Sequence, residues 1–380
     1  MMTEWTKDQE DLRSAIADLG EQLNEGHAER DRTETFPRDK WQVLADAGLF
    51  GLPFEETLQG LGQDLLTTMY VLEELGHSCR DAGLNFSAST QIVSTGIPLQ
   101  RFGSTELKRR YLPRIADGSA ITAHAITEPS GGSDALRMTT VARQNGDTYV
   151  LNGSKTFVTN GPVADLFTIY ARTGDRPGVG SITAFVVERD TPGLTLGRKI
   201  SKMGLRTSPF CELYLDDCRV PASNVIGRPG SGFWVLDHVM KWEILCSFVI
   251  NIGEMRHRLE SSVSYARGRE QGGGPISSHQ AVSHRIVDML VQMETARLWM
   301  YETASKVQNG RDVTIDIAVG KLLASTANVH SALSAMQVLG GYGYTTEYGM
   351  EQQLRDAVPG LIYSGTNDIQ KNRIAAMLGL

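Results

Sequence analysis

The sequence predicts a mainly α protein with a β-sheet or β-barrel set in its middle, and three observations carry that prediction. Residues 4 to about 118 repeat their apolar positions at helical period, with capped starts and Gly or Pro stops. From about 119 to 228 the period falls to two, with Gly and Pro between short β-branched and aromatic runs. After Pro229-Gly230-Ser231-Gly232 the helical period returns and persists to the C-terminus. The expected domains are therefore 1–118, helical; 119–228, a compact antiparallel sheet or barrel; and 229–380, a helical bundle. At 380 residues the chain is long enough for two or three packed domains.

The first zone offers helices at Thr6–Leu23, at Lys40–Ala47 after a Phe36-Pro37-Arg38 entry, at Leu65–His77 and at Ser104–Asp117. The last begins with a serine cap and has Glu106 near the positive end of the helix dipole. In the middle zone, Thr148–Leu151, the turn dipeptide Asn152-Gly153 and Lys155–Thr159 read as a β-hairpin. Leu166–Ala171, Ser181–Val187 and Glu212–Leu215 continue the strands. Long amphipathic helices follow at Trp234–Arg267, Ser278–Gln308 and Asp316–Leu339, with a short terminal helix from Asp368.

Composition narrows the function. A net charge of −7 and the absence of a basic run speak against a nucleic-acid partner. The four cysteines (Cys79, Cys211, Cys218, Cys246) form no C-x-x-C pair and no His cluster accompanies them, so neither a metal site nor disulfides are expected, and a reducing cytoplasm fits. The N-terminus shows no basic and apolar leader pattern, and no uncharged apolar run is long enough to span a bilayer.

Glu243 is the residue out of place. It lies in the apolar stretch Phe233–Ile250 and shares a helical face with Leu236, Val239, Met240, Cys246, Ser247 and Ile250. A carboxylate turned toward a core must find a cation, take up a proton or serve chemistry. An ion pair with a Lys or Arg of another element is the commoner outcome, and both readings stand at this point.

Four glycine-bearing stretches accompany it. Thr127–Asp134 places hydroxyls around Gly131-Gly132, suited to a phosphate or a ring edge, or simply a decorated turn. Lys155–Gly161 presents Phe157 and Thr159 on one strand face, either against a flat heterocycle or as a cross-strand core pair. Arg269 and Gln271 ahead of three glycines suit an anion, and equally a helix C-terminus with cations on its dipole. Gln337–Tyr344 is a glycine-rich helix stop. None is a Rossmann fingerprint or a P-loop.

Taken in order, these segments resemble the acyl-CoA dehydrogenase family of flavoproteins. The resemblance rests on Thr127-Glu128-Pro129-x-x-Gly132-Ser133-Asp134, Asn152-Gly153-x-Lys155-x-Phe157-x-Thr159-Asn160-Gly161, Met203-Gly204-x-Arg206, Arg269-x-Gln271, Gln337-x-x-Gly340-Gly341-x-Gly343 and Gly365-Thr366-Asn367-Asp368-Ile369-Gln370. It implies a helical N-domain, a β-barrel middle domain, a C-terminal four-helix bundle, FAD as cofactor and assembly as a homotetramer or homodimer. By the family pattern Thr127 and Ser133 face the flavin or its phosphates, Phe157 and Thr159 the ring, and Thr366 and Asp368 belong to the flavin-side C-terminal segment. Arg269, Gln271, Gln337, Gly340 and Gly341 resemble the groups that reach the FAD of a neighbouring subunit. Where relatives often carry Phe-Gly after the glutamine, this chain has Gly272-Gly273, which removes an aromatic contact at the adenine end.

The family's chemistry is α,β-dehydrogenation of an acyl thioester. A base takes the α-proton and the β-hydride goes to the flavin, while a ribityl hydroxyl and a backbone amide, here that of Ser364, hold the thioester carbonyl. Many members carry the base as Tyr-Glu-Gly-Thr. This chain reads Tyr363-Ser364-Gly365-Thr366, and a serine hydroxyl is no such base unaided. A subgroup similar to the isovaleryl and long-chain dehydrogenases has its glutamate on the first long bundle helix, the position of Glu243, although Ile244 stands where those relatives often have Arg. The Trp242-Glu243 helix, Gln280–Ile286 and the Tyr363–Thr366 ending are also similar to prolyl carrier-protein dehydrogenases of secondary metabolism. The implied substrate is thus an acyl thioester of CoA or of a carrier protein, with an electron-transfer flavoprotein or O2 as acceptor. The alternative is an oxidase or monooxygenase using O2 on the same fold.

Overall fold

The computed structural model describes residues 4–174 and 178–380; of the N-terminal stretch read for a leader, Met1–Thr3 lie outside them. Helices fill the first zone: α1 (Lys7–Ala17), α2 (Gly20–Asn24), α3 (His27–Thr33), α4 (Arg38–Asp46), α5 (Leu65–Ser78), α6 (Ala82–Gln91), α7 (Ile97–Phe102) and α8 (Thr105–Ala116). Their starts obey capping chemistry. Thr6 and Gln9 form a capping box, and the side chains of Asp64, Asp81 and Ser104 accept from the backbone amides of Thr67, Leu84 and Leu107. The single helix expected over Thr6–Leu23 is instead two, because the chain breaks at Asp18–Leu19 and re-enters as α2, which carries Leu23 into the core. The segment α6–α7 was not legible at all. It is buried on nearly every side, so it has no polar face from which a period can be read.

The middle zone is an eight-stranded sheet built from β1 (Thr122–Ala125), β2 (Val141–Asn145), β3 (Thr148–Thr159), β4 (Leu166–Arg172), β5 (Ile182–Glu188), β6 (Leu194–Lys199), β7 (Phe210–Pro221) and β8 (Val225–Ile226). The order is β6-β7-β3-β2-β4-β5-β8, with β1 beside β4. Two details differ from expectation. The sheet is mixed, since β1 and β2 both run parallel to β4. And Asn152-Gly153 is no hairpin turn: β2 and β3 join through Gly146-Asp147, and β3 runs straight through Asn152-Gly153. Gly153 sits at a bulge against β7, with Thr140 so close that a Cβ would lie 2.6 Å from its Oγ1. The glycine answers a close approach, not a reversal.

The third zone is dominated by α9 (Gly232–Gly268), whose 37 residues rise about 55 Å. A two-stranded ribbon, β9 (Glu270–Gln271) and β10 (Gly274–Pro275), leads to α10 (Gln280–Gln308), α11 (Thr314–Leu339), α12 (Gly341–Tyr344), α13 (Met350–Ala357) and α14 (Asn367–Met377). Helices α9, α10 and α11 pack on one another, α14 on α11, and α5 of the first zone on α9. The α5–α9 crossing is close because both helices present glycine there. A Cβ on Gly76 would lie 2.1 Å from the Ile250 carbonyl oxygen, and one on Gly253 would lie 2.0 Å from that of Glu73. One core runs through all three zones; a second, smaller one (Ala266, Met289, Ala335, Val338, Leu339, Met350) closes the far end of the bundle.

Candidate active site

Where α9 passes the sheet, Val239, Cys246, Ser247 and Ile250 are buried as the helical period requires, but the Glu243 side chain keeps 19% of its surface. Among the described residues no lysine or arginine pairs with it. Its partners come from the C-terminal turn of its own zone and from the sheet. The Ser364 hydroxyl donates to Oε1 at 2.6 Å, and His124 Nδ1 on β1 lies 3.6 Å from Oε2. The following residue, Ile244, is fully buried, so the arginine common in relatives would have no room to reach solvent.

Ser364 is held at this point by a strained turn ahead of α14. Its φ is +55° and that of Gly365 is +84°, and Gln370 Nε2 donates to the carbonyl of Ser364 at 3.1 Å. Tyr363 anchors the turn, packing on Phe248 and Phe86 and donating to Asn251 Oδ1 at 3.3 Å. The Ser364 N–H has no hydrogen-bond partner among the described residues, which leaves one free amide beside the carboxylate. Burial first, and then the negative charges of Glu254 and Glu243, keep the Tyr363 hydroxyl neutral far above the ordinary phenol range; burial and Glu243 do the same to Tyr170 on β4.

His124 and Tyr170 are the residues that sequence reasoning missed. Their rings lie 5.3 Å apart, and both His124 Nε2 and the Tyr170 hydroxyl are buried without a partner among the described residues. The only signal available was a lone imidazole between Ala123 and Ala125, just ahead of the Thr127 motif.

The expected cofactor residues fall into two groups. Near the sheet, the Thr156 N–H donates to the Thr127 carbonyl at 2.9 Å and so sets the Thr127 loop beside Phe157. The loop is pinned from below by Glu128, which accepts from the amides of Thr139 and Thr140 and from Lys155 Nζ at 2.9 Å. Burial alone would raise the Glu128 carboxyl, but the Lys155 charge and the Thr139 and Thr140 groups outweigh it and hold it at about 2. Phe157 has a φ of +55°, meets Phe210 edge-on at 5.6 Å and leaves 58% of its surface exposed. Thr159 is half-buried on the same strand face, Ser133 is exposed, and the Thr127 and Thr159 hydroxyls are unengaged among the described residues. An uncovered aromatic ring flanked by free hydroxyls fits a flat, polar-edged heterocycle such as flavin. Thr366 caps α14 by accepting from the Ile369 amide at 3.3 Å and retains a free O–H, whereas Asp368 is exposed, 3.7 Å from Lys371.

Arg269, Gln271, Gln337, Gly340 and Gly341 form the second group. They are exposed and gathered at the other end of α9, with the Arg269 guanidinium 5.7 Å over Tyr342 and the Tyr265 hydroxyl on the Leu339 carbonyl. About 39 Å of helix rise separates Arg269 from Glu243. Gly272 and Gly273 make the two-residue turn of the β9–β10 ribbon at φ +64° and +90°, which is why no aromatic stands there. Met203–Arg206 serves packing: the Leu205 N–H donates to Asp356 on α13, whose carboxyl burial pushes up to about 7.

Among the described residues no cluster of His, Cys, Asp or Glu is suited to a metal, all four cysteines are free and buried, and no helix is long and apolar enough to cross a membrane.

Comparisons with known proteins identify the family. The acyl-CoA dehydrogenase N-terminal, middle and C-terminal domain models match residues 6–119, 123–218 and 230–379. An L-prolyl-[peptidyl-carrier protein] dehydrogenase from Serratia sp. is 40% identical over 90% of this chain and 88% of its own. The structure of PigA with FAD and proline superposes with a TM-score of 0.97 at 36% identity, and butyryl-CoA dehydrogenase from Megasphaera elsdenii with 0.95 at 35%, each covering the whole of both chains. The chain therefore belongs to the acyl-CoA dehydrogenase family.

Proposed function

We propose that this protein is an FAD-dependent dehydrogenase that introduces an α,β double bond into an acyl thioester, with Glu243 as the base. The observation that carries this reading is the 2.6 Å hydrogen bond between Ser364 and Glu243. The position where many family members carry their catalytic glutamate and the helix position that carries one here meet at a single point in space.

The chain's own groups support each part of the reaction. Among the described residues no lysine or arginine neutralises Glu243, so an oxygen is available to take the α-proton. The Ser364 amide, unpaired among the described residues, donates to the thioester carbonyl and stabilises the developing enolate, with Tyr363, Tyr170 and His124 close to the carboxylate. Bound FAD supplies the acceptor for the β-hydride. Phe157, Thr127, Thr159, Ser133 and Thr366 hold the ring end, Asp368 stands in the same C-terminal segment, and Arg269, Gln271, Gln337, Gly340 and Gly341 hold the far end of a cofactor in a second copy of the chain.

The assembly reading draws support from an exposed apolar stripe on α10 and α11, comprising Val287, Leu290, Val291, Leu298 and Leu333, on which a homodimer or homotetramer would be built. The division into domains 1–118, 119–228 and 229–380 follows the element order. Electrons leave to an electron-transfer flavoprotein or to O2, which reoxidation rates with each acceptor distinguish. Both CoA and carrier-protein thioesters are substrates of relatives, and anaerobic titration of the yellow protein with panels of each decides between them. The reading expects bleaching of the flavin by at least one panel; a flavin that stays oxidised with every thioester contradicts it.

A further inference from the structure

We infer that His124 is a positioning residue for Glu243, its Nδ1–H holding the second carboxylate oxygen while Ser364 holds the first. The inference rests on the reading of Glu243 as the base. Three observations carry it. The Nδ1 atom lies 3.6 Å from Oε2, a gap that a sub-ångström closure turns into a hydrogen bond, as catalytic contacts do on substrate binding. The His124 side chain is only 8% exposed, on a sheet strand that fixes it, whereas Glu243 projects from a helix of another domain. And Nε2 is buried without a partner among the described residues.

That last fact selects the tautomer. A proton on Nε2 would be a buried donor with nothing to receive it, and would turn an Nδ1 lone pair toward the carboxylate. A proton on Nδ1 turns the N–H toward the carboxylate and leaves Nε2 as an unpaired acceptor, in place of an unpaired donor and a lone pair facing a negative charge. The Tyr170 ring packs against the imidazole at 5.3 Å and limits its rotation, so the N–H stays aimed at Oε2.

The consequence is a base of fixed orientation. The titratable groups facing Glu243 are His124 from β1, Tyr170 from β4 and Tyr363 from the C-terminal turn. On α9 itself the Lys241 ammonium is engaged by Asp237 at 2.7 Å. Tyr170 and Tyr363 stay neutral, leaving Ser364 and His124 as the donors facing the carboxylate.

The test titrates Glu243 in the FAD-loaded protein by two readouts. One is the infrared band of its protonated carboxyl, assigned by its disappearance in E243Q. The other is the acid limb of the pH profile of thioester-driven flavin reduction. In H124L both midpoints are expected to rise by about one pH unit, the scale of one lost hydrogen bond to a charged acceptor. In H124N, whose amide nitrogen stands near the Nδ1 position, both stay close to wild type. If H124L does not accumulate as folded yellow protein, H124Q, with its amide at the Nε2 end, carries the same expectation as H124L. Midpoints that stay or fall in H124L, or that rise equally in H124N, overturn the inference. Flavin reduction that survives E243Q would instead remove the base itself, a separate failure that the infrared titration does not depend on.

Discussion

A carboxylate alone in an apolar helix face has few explanations, and the surroundings of Glu243 remove the commonest of them. It pairs with no lysine or arginine among the described residues but with a hydroxyl from the C-terminal turn of its own domain and an imidazole from the sheet. Such partners orient a base without cancelling its charge. The Ser364 hydroxyl is one of two donors, so S364A is expected to keep flavin reduction within about tenfold of wild type, measured by stopped flow at saturating thioester. Glu243 was legible in the sequence because the apolar stretch around it is long and regular. The role of Ser364 was legible only through the family resemblance. His124 was not legible, because one imidazole in a short strand has no pattern of its own until the strand is placed beside α9.

At the scale of elements, the site depends on two junctions. The first is the α5–α9 crossing, which keeps the base helix seated on the first zone. G253A places a methyl group 2.0 Å from the Glu73 carbonyl oxygen, where only backbone movement makes room. A loss of at least about 2 kcal/mol in chemical denaturation is expected, and an unchanged midpoint would show that the crossing is looser than described.

The second junction is the Glu128–Lys155 pair beneath the Thr127 loop, with side chains 2% and 0% exposed. Its pH dependence has a definite sign. The Glu128 carboxyl is held at about 2 against an ordinary 4.5, so its contribution is complete above pH 4.5 and is lost as the pH falls toward 2. E128Q is expected to cost about 3 kcal/mol at pH 7, to lose that share of the acid sensitivity and to bind FAD more weakly, read by thermal melts across pH and by flavin absorbance after dialysis. Most elements here follow from periodicity and caps. The exceptions have physical causes: α6–α7 lacks a polar face, and Asn152-Gly153 carries a turn's composition at a place where glycine serves a bulge.

At the scale of the whole molecule, about 39 Å of helix rise separates Arg269 from Glu243, and the proposed reading gives the far-end residues to a cofactor held by a second copy. The account expects oligomerisation and FAD retention to be lost together. V291E on the exposed α10 stripe should dissociate the oligomer in analytical ultracentrifugation and release flavin, whereas R269A should weaken flavin binding with the oligomer intact. A V291E monomer that keeps its FAD would assign the far-end residues another role. Architecture at this scale was legible from the order of the three zones. Which ends of the bundle meet in an assembly was not, since periodicity reports a buried face and not its partner.

The central claim is that Glu243 removes the α-proton, and the rate of anaerobic flavin reduction by a competent thioester tests it most directly. With FAD content matched, E243Q should reduce its flavin at least about 1,000-fold more slowly than wild type, within the range expected for loss of a general base. Reduction by E243Q at the wild-type rate would contradict the account.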